Sequence, residues 1–243
     1  MVGRAYPDRA LKYTIEGVIG RYPAVNIGVL VGRGLRIDGT SPELGKYKAD
    51  AVRVAVEKVD AAPIGQHPYI ASWREMYRSF GAKPADYHPS SEALARRVVK
   101  TRELPTINAS VDAYNAVSVR HLIPIGGFDT DRVEGDIRLR LSPGGEPFNG
   151  LGVAEVEQTR PGEVVYADDR RILTRRWNFR DCVETQITTE TRSLVMFIDG
   201  SPEIPRSEVE SVLVELASAE ERFCGGTYST AVADAKRPVV MIV

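Results

Sequence analysis

The sequence predicts an α+β domain, a class in which helices and strands occupy separate stretches of the chain, and three observations carry that prediction. Apolar residues recur at helical spacing through much of the first half. From Asp136 onward the pattern changes to short alternating or apolar runs set between glycine and proline turns. An amphipathic stretch, Glu208 to Phe223, and an apolar run, Pro238 to Val243, then close the chain.

Taken in order, Ala24 to Val31 reads as the first strand, bounded by Pro23 and by Gly32 and Gly34. A helix follows Ser41-Pro42-Glu43, because proline suits a first helical turn, and Val52, Val56 and Val59 continue it. Tyr69 to Phe80 reads as a second helix, stopped by Gly81 and Lys83-Pro84. Ser90 and Ser91 are expected to cap a third, from Glu92 to about Lys100. Pro105 opens a fourth, from Thr106 to Arg120. On it Ile107, Val111, Tyr114 and Ser118 share one side, and Asn108, Asp112 and Asn115 form a polar stripe expected at the edge of the core. Pro124-Ile125-Gly126-Gly127 reads as a turn or loop. Asp136 to Leu141 alternates as a half-buried strand, and Ser142-Pro143-Gly144-Gly145-Glu146 is a turn. Further strands are expected at Glu163 to Tyr166, Arg171 to Thr174 and Arg192 to Ile198. In the last helix Val209, Val212, Leu213 and Leu216 face one way, and Gly225-Gly226 stops it. No repeat, low-complexity tract or long linker divides the chain, so residues 1–243 are expected to form one domain.

Composition narrows the function. Lys and Arg total 32 against 33 Asp and Glu, a net charge of -1, so a nucleic-acid contact must come from a local basic patch. There is no apolar run near the ~20 residues of a membrane helix. The start, residues 1–17, lacks an apolar signal core. Cys182 and Cys224 form no CxxC or zinc spacing and read as reduced thiols of a cytoplasmic protein. His67, His88 and His121 form no metal-ligand pairs, and no dinucleotide or phosphate-loop fingerprint is present, so neither metal nor cofactor is expected. His88 reads as a polar residue beside a helix start and His121 as the close of a helix C-terminus.

Arginine is unevenly spread. Arg96, Arg97, Lys100 and Arg102 crowd one helix end, and Arg170, Arg171, Arg175, Arg176 and Arg180 crowd the region around Trp177 and Phe179. Guanidinium forks suit phosphate, and interleaved aromatics suit the bases of a single-stranded end. Each cluster alone also reads as a solvated, salt-bridged surface.

From Val111 onward a series of motifs resembles a known family. Asp112-Ala-Tyr-Asn115 is similar to the D-x-x-N motif of the B3/B4 domain in the β subunit of bacterial phenylalanyl-tRNA synthetase. Pro124-Ile-Gly-Gly-Phe128-Asp129 occupies the place of the family's P-x-H-A-[FY]-D. Gly135, Leu139-Arg140, Gly145-Glu146 and Val164 to Asp168 continue the match in order. Upstream, Trp73, Gly81, Lys83-Pro84, Tyr87, Ser90, Glu92, Leu94, Arg96-Arg97, Leu104-Pro105 and Ile107-Asn108 look like the free-standing B3/B4 proteins. The resemblance spans about Trp73 to Thr191.

That resemblance implies a single B3/B4-like domain with mainly antiparallel or mixed sheet and flanking helices. It implies an editing deacylase that hydrolyses the ester of mischarged aminoacyl-tRNA in trans, with the tRNA 3′ end as partner. Two departures redraw the site. The family's histidine is Gly126 here, and its G-x-M-G-G-E loop is replaced by Arg175 to Cys182, with Asp181 near the place of the loop's acidic residue. The expected catalytic residues are therefore Asp181 and Asn178. Gly126, Gly127, Trp177, Arg180 and Asn115 are expected to bind substrate, and Arg96, Arg97, Arg175 and Arg176 the tRNA. Glycines let a ligand approach the backbone, so Gly126-Gly127 is expected as a loop at a pocket rim. Asp112 and Asn115 are expected to anchor that loop through side-chain hydrogen bonds, and Asp129 to order a turn. Two other classes fit the same residues: a non-catalytic module for tRNA ends or amino acids, and a hydrolase of small amino-acid esters or amides.

Overall fold

The computed structural model describes residues 11–60 and 63–242. The expected lack of a signal core falls mostly on residues 1–10 and the end of the expected C-terminal strand on Val243, both outside the described residues. The chain runs β1 (Lys12–Ile15), α1 (Glu16–Ile19), β2 (Asn26–Arg33), α2 (Pro42–Asp60), α3 (Pro68–Ser79), α4 (Ser90–Thr101) and α5 (Ala109–His121). Then come β3 (Ile125–Asp129), β4 (Ile137–Leu141), β5 (Pro147–Phe148), β6 (Glu157–Gln158), β7 (Val164–Ala167), β8 (Ile172–Arg175) and β9 (Arg180–Asp181). Last are β10 (Ser193–Gly200), α6 (Arg206–Cys224), β11 (Thr227–Ala233) and β12 (Val239–Met241). The fold is α+β.

One sheet is four-stranded and antiparallel, in the order β11-β2-β10-β3. The other is mixed and six-stranded, in the order β12-β1-β4-β7-β8-β9, with β1 and β4 parallel. β10 supplies the reason for the layering: all but its first residue are buried, as in a strand covered on both faces. One face meets α6. There a Cβ at Gly28 would lie 2.9 Å from Val209 Cγ1, so a side chain at this position would push the helix off the sheet. The other face meets the six-stranded sheet through aromatic rings: Phe197 lies 4.5 Å from Tyr13 and 4.9 Å from Tyr166, centroid to centroid.

Several sequence expectations are corrected. Gly126-Gly127 is not a loop but part of β3, the edge strand paired with β10. Glycine is needed at 127 because a Cβ would sit 2.8 Å from both Met196 Cγ and the Val195 carbonyl. α5 begins at Ala109, not Thr106, because Asn108 caps it: its Oδ1 accepts from Val111 N at 3.0 Å. The expected caps Ser90 and Ser91 make no capping bond, and Pro89 occupies that position. The polar stripe on α5 is buried rather than marginal, since Asp112 is fully enclosed with Lys48 at 2.7 Å. β1 is short and β11 lies at a sheet edge with mostly accessible polar residues, so neither carries the apolar run that marks a strand in sequence.

Candidate functional site

The register of the two sheets builds a cavity between them. Gly126 pairs with Phe197 and Phe128 with Val195, so Gly126, Phe128, Phe197 and Asp199 share one face of the four-stranded sheet. Opposite them, Tyr166 pairs with Thr174 and Thr174 with Asp181, a cross-strand row on the second sheet. The turn from β8 to β9 closes one end with Trp177, Asn178 and Phe179, and Ser90 at the start of α4 closes another. The enclosed volume is about 230 Å³.

The closing turn is strained. Arg176 and Trp177 both have positive φ, 50° and 65°, a region that costs a side-chain-bearing residue on the order of 1–3 kcal/mol. Packing holds them there. Trp177 is fully buried, edge-on to Trp73 at 5.3 Å and to Tyr22 at 5.2 Å. The Arg176 guanidinium lies 3.7 Å over the Tyr87 ring.

Two carboxylates face the cavity, Asp199 buried and Asp181 partly accessible. Asp199 accepts from Tyr166 Oη at 2.6 Å and from Asn178 Nδ2 at 3.1 Å. Burial pushes it up to about 7, against those hydrogen bonds and with a smaller push from Asp181. Asp181 accepts from Thr174 Oγ1 at 2.5 Å, and burial pushes it up to about 6. Its other oxygen, Oδ2, faces Gly126, where a Cβ would lie 3.6 Å away. Neither carboxylate has a Lys, Arg or His nitrogen within 4 Å among the described residues.

The B3/4 domain family matches residues 72–235, a stretch that includes every wall of this cavity. The chain belongs to the B3/4 domain family. Among solved structures, this B3/4 domain is similar to an N-terminal fragment of the phenylalanyl-tRNA synthetase β subunit from Pyrococcus horikoshii, at 13% identity and a TM-score of 0.45. The superposition covers 89% of this chain and 49% of that one, so the chain spans about half that fragment's length. A search of curated proteins finds no match.

Of the expected site residues, the B3/4 domain brings Gly126, Trp177, Asn178, Arg180 and Asp181 to the cavity. Gly127 points the other way, into Met196, and Asn115 on α5 does not line it. Asp112 does not anchor the Gly126 segment. Its carboxylate takes Lys48 and the Ile107 N–H at 2.8 Å instead. Asp129 does order a turn, accepting from Asp131 N at 3.0 Å. Asn178 lines the cavity with both ends of its amide bonded, to Tyr77 Oη at 2.8 Å and to Asp199. Arg180 and Asp181 form no ion pair, and Arg180 lies instead 5.0 Å from the Phe179 ring centroid.

The expected arginine surface does not form as drawn. Arg175 is buried with Nε and Nη2 on Glu163 at 2.8 Å and Nη1 3.4 Å from Glu157, and Arg176 is buried over Tyr87, so neither offers a free guanidinium to an external phosphate. Arg97 is exposed, and Arg96 pairs with Glu92 at 2.7 Å. Arg96 belongs to a separate cleft of about 870 Å³, lined by Arg74, Arg78, Lys83 and His88 as well. His88 in the cleft and Ser90 in the cavity are two residues apart, so the two sites share a wall.

Asp199 and Ser90 are among the cavity residues that sequence reading missed, with Tyr166 and Thr174, which donate to the two acids. Asp199 directly follows the apolar run Leu194 to Ile198 in β10, and that position was its signal. Ser90 Oγ is buried without a hydrogen-bond partner and was expected as a helix cap. None of the three histidines lines the cavity. His121 is spanned by Glu208 at 3.2 Å and Glu215 at 2.7 Å. Among the described residues no group of three or more His, Cys, Asp or Glu could hold a metal, and no helix is long and apolar enough to cross a membrane.

Proposed function

We propose that the chain is a trans-acting deacylase that hydrolyses the ester of mischarged aminoacyl-tRNA. The observation that carries this reading is an amino-acid-sized cavity with two carboxylates that have no cationic nitrogen within 4 Å among the described residues, beside a basic cleft. At about 230 Å³ it is smaller than the ~300–1,000 Å³ of drug-sized ligand sites. An α-ammonium supplies the missing charge.

In this reading Asp181, ionised, holds the α-ammonium and fixes the ester carbonyl at the mouth. Arg180, which has no carboxylate partner within 4 Å among the described residues, donates to the oxyanion that forms when water adds to the carbonyl carbon. The carbon–oxygen bond to the terminal ribose then breaks, and the ribose oxygen leaves with a proton. An aminoacyl ester is already activated, so orientation and preorganised charge supply the acceleration and no side-chain nucleophile is needed. The cleft residues Arg78 and Lys83 meet phosphates of the 3′ end.

The test is single-turnover deacylation over a panel of mischarged tRNAs. Hydrolysis of at least one, lost in Asp181→Asn, is expected. Tight binding of tRNA ends with no hydrolysis across the panel would make the chain a binding module instead.

A further inference from the structure

Hydrogen-bond direction in the cavity points to its substrate class. Tyr77 donates to Asn178 Oδ1, which turns the Asn178 amide nitrogen toward Asp199. Tyr13 donates to Tyr166 at 3.4 Å, and Tyr166 donates to Asp199. Two chains of donors, from opposite sides of the core, therefore end on one carboxylate. A network with that polarity stabilises an anion.

The rest of the molecule treats buried anions differently. Glu92, Asp112, Asp129, Glu163 and Asp168 are buried, and each has an arginine or lysine nitrogen within 4.0 Å. Among the described buried carboxylates outside the cavity, only Glu220 has no such partner; burial pushes it up to about 8, and it lies away from the cavity. Asp199, 3% exposed and fed by donors, faces cavity space instead of a cation. Leaving a buried charge uncompensated is costly unless a ligand completes the pair.

Depth separates the two acids. Asp181 lies on β9, the edge strand of its sheet, and is partly accessible, whereas Asp199 lies on a central strand of the other. Between and around them the walls are Ile125, Phe128, Leu151 and Phe197, which suit an aliphatic linker. We infer that the cavity takes an α-amino acid whose side chain ends in a second amino group, with Asp181 receiving the α-ammonium and Asp199 the distal ammonium. This rests on the reading of the cavity as an aminoacyl site. A neutral hydroxyl would satisfy one lone pair of Asp199 but leave its charge uncompensated. A purely apolar side chain would bury it further.

Calorimetric titration of the full chain with amides of L-lysine, L-ornithine, L-norleucine and L-tyrosine tests this without relying on catalysis. The amides keep the α-ammonium and do not hydrolyse on the timescale of the titration. A lysine or ornithine amide is expected to bind at least tenfold more tightly than the norleucine amide, since a hydrogen bond to a charged group is worth about that factor or more. Asp199→Asn is expected to erase the preference. Norleucine or tyrosine amide binding as tightly as the diamino amides would overturn the inference, as would binding of none of them. Saturable binding of Mg²⁺ alone that requires both Asp181 and Asp199 would also overturn it, by making the pair a metal site. Diamino amides that bind with the expected preference while no mischarged tRNA is hydrolysed would leave the inference standing and remove the deacylase reading.

Discussion

Tyr77 Oη lies 2.8 Å from Asn178 Oδ1, and this bond decides which way the Asn178 amide faces. Without it the amide can present its oxygen to Asp199, an acceptor against an acceptor. Tyr77→Phe is expected to cost about 1 kcal/mol of stability, the usual worth of one hydrogen bond. It should also weaken ligand binding at Asp199. A phenylalanine variant that binds as the wild type does would uncouple Tyr77 from the site.

Asp181→Asn is expected to slow single-turnover deacylation roughly a hundredfold, comparable to losing one preorganised charge contact, with tRNA affinity nearly unchanged. Because burial holds Asp181 up to about 6 and its ionised form is the active one, the wild-type rate should rise with pH and level off above that value. His88→Ala and His121→Ala should leave the rate close to normal, since neither residue lines the cavity. A dead but folded His121→Ala beside a fully active Asp181→Asn would return the chemistry to histidine.

Asp199 links the site to stability. Its proton leaves the unfolded chain near the ordinary value of 3.8 but stays on the folded protein up to about 7. Over that window the native state binds more protons, so the contribution is full below 3.8 and is lost as pH rises through 7. The size is on the order of 2–4 kcal/mol. Asp199→Asn should therefore flatten the fall in stability measured by urea unfolding between pH 4 and 7. Asp181 and Glu220, held up to about 6 and 8, leave a residual slope. An unaltered slope in the variant would show that Asp199 does not carry the proton.

Lys83 and Arg78 are exposed in the cleft and hold no buried carboxylate, unlike Arg74 and Arg96, which both bind Glu92. Charge reversal at both should weaken binding of all tRNAs alike and lower the salt dependence of log K by about 1–2 units of slope. Reversal that leaves affinity and salt slope untouched would take the cleft out of the tRNA path.

Arg175→Met removes both arms that hold Glu163, and the stranded carboxylate is expected to cost about 3–5 kcal/mol. Thermal unfolding of the single variant and of the Arg175→Met, Glu163→Leu double variant checks it, since the double variant should recover much of the loss.

Helix positions and most long strands were legible because their apolar spacing is a local property. Val209, Val212, Leu213 and Leu216 announce α6 whatever packs against it, and all four are buried. β3 was not legible, because a glycine pair reads locally as a turn, and only contact with Met196 makes it a strand. At the site, the Trp177 to Asp181 segment stood out by residue type, but the division of its side chains between internal hydrogen bonds and open cavity space did not. That division depends on Tyr77 and Asp199, 101 and 21 residues from Asn178 in the chain. Arg175 and Arg176 misled for the same reason: a charged run looks exposed until Glu163 and Tyr87 are seen to cover it.

On the proposed function, the cavity that offers two acids to the ester offers the same two acids to the amino acid that hydrolysis releases. While the amino acid is esterified its carboxyl is neutral, and only its ammonium groups meet Asp181 and Asp199. Hydrolysis would create a new carboxylate at the mouth of a space of about 230 Å³, with the Asp181 carboxylate repelling it and the Arg180 guanidinium attracting it. Arg180 would thus hold the product carboxylate much as it holds the oxyanion, and the free amino acid would compete for the site that released it.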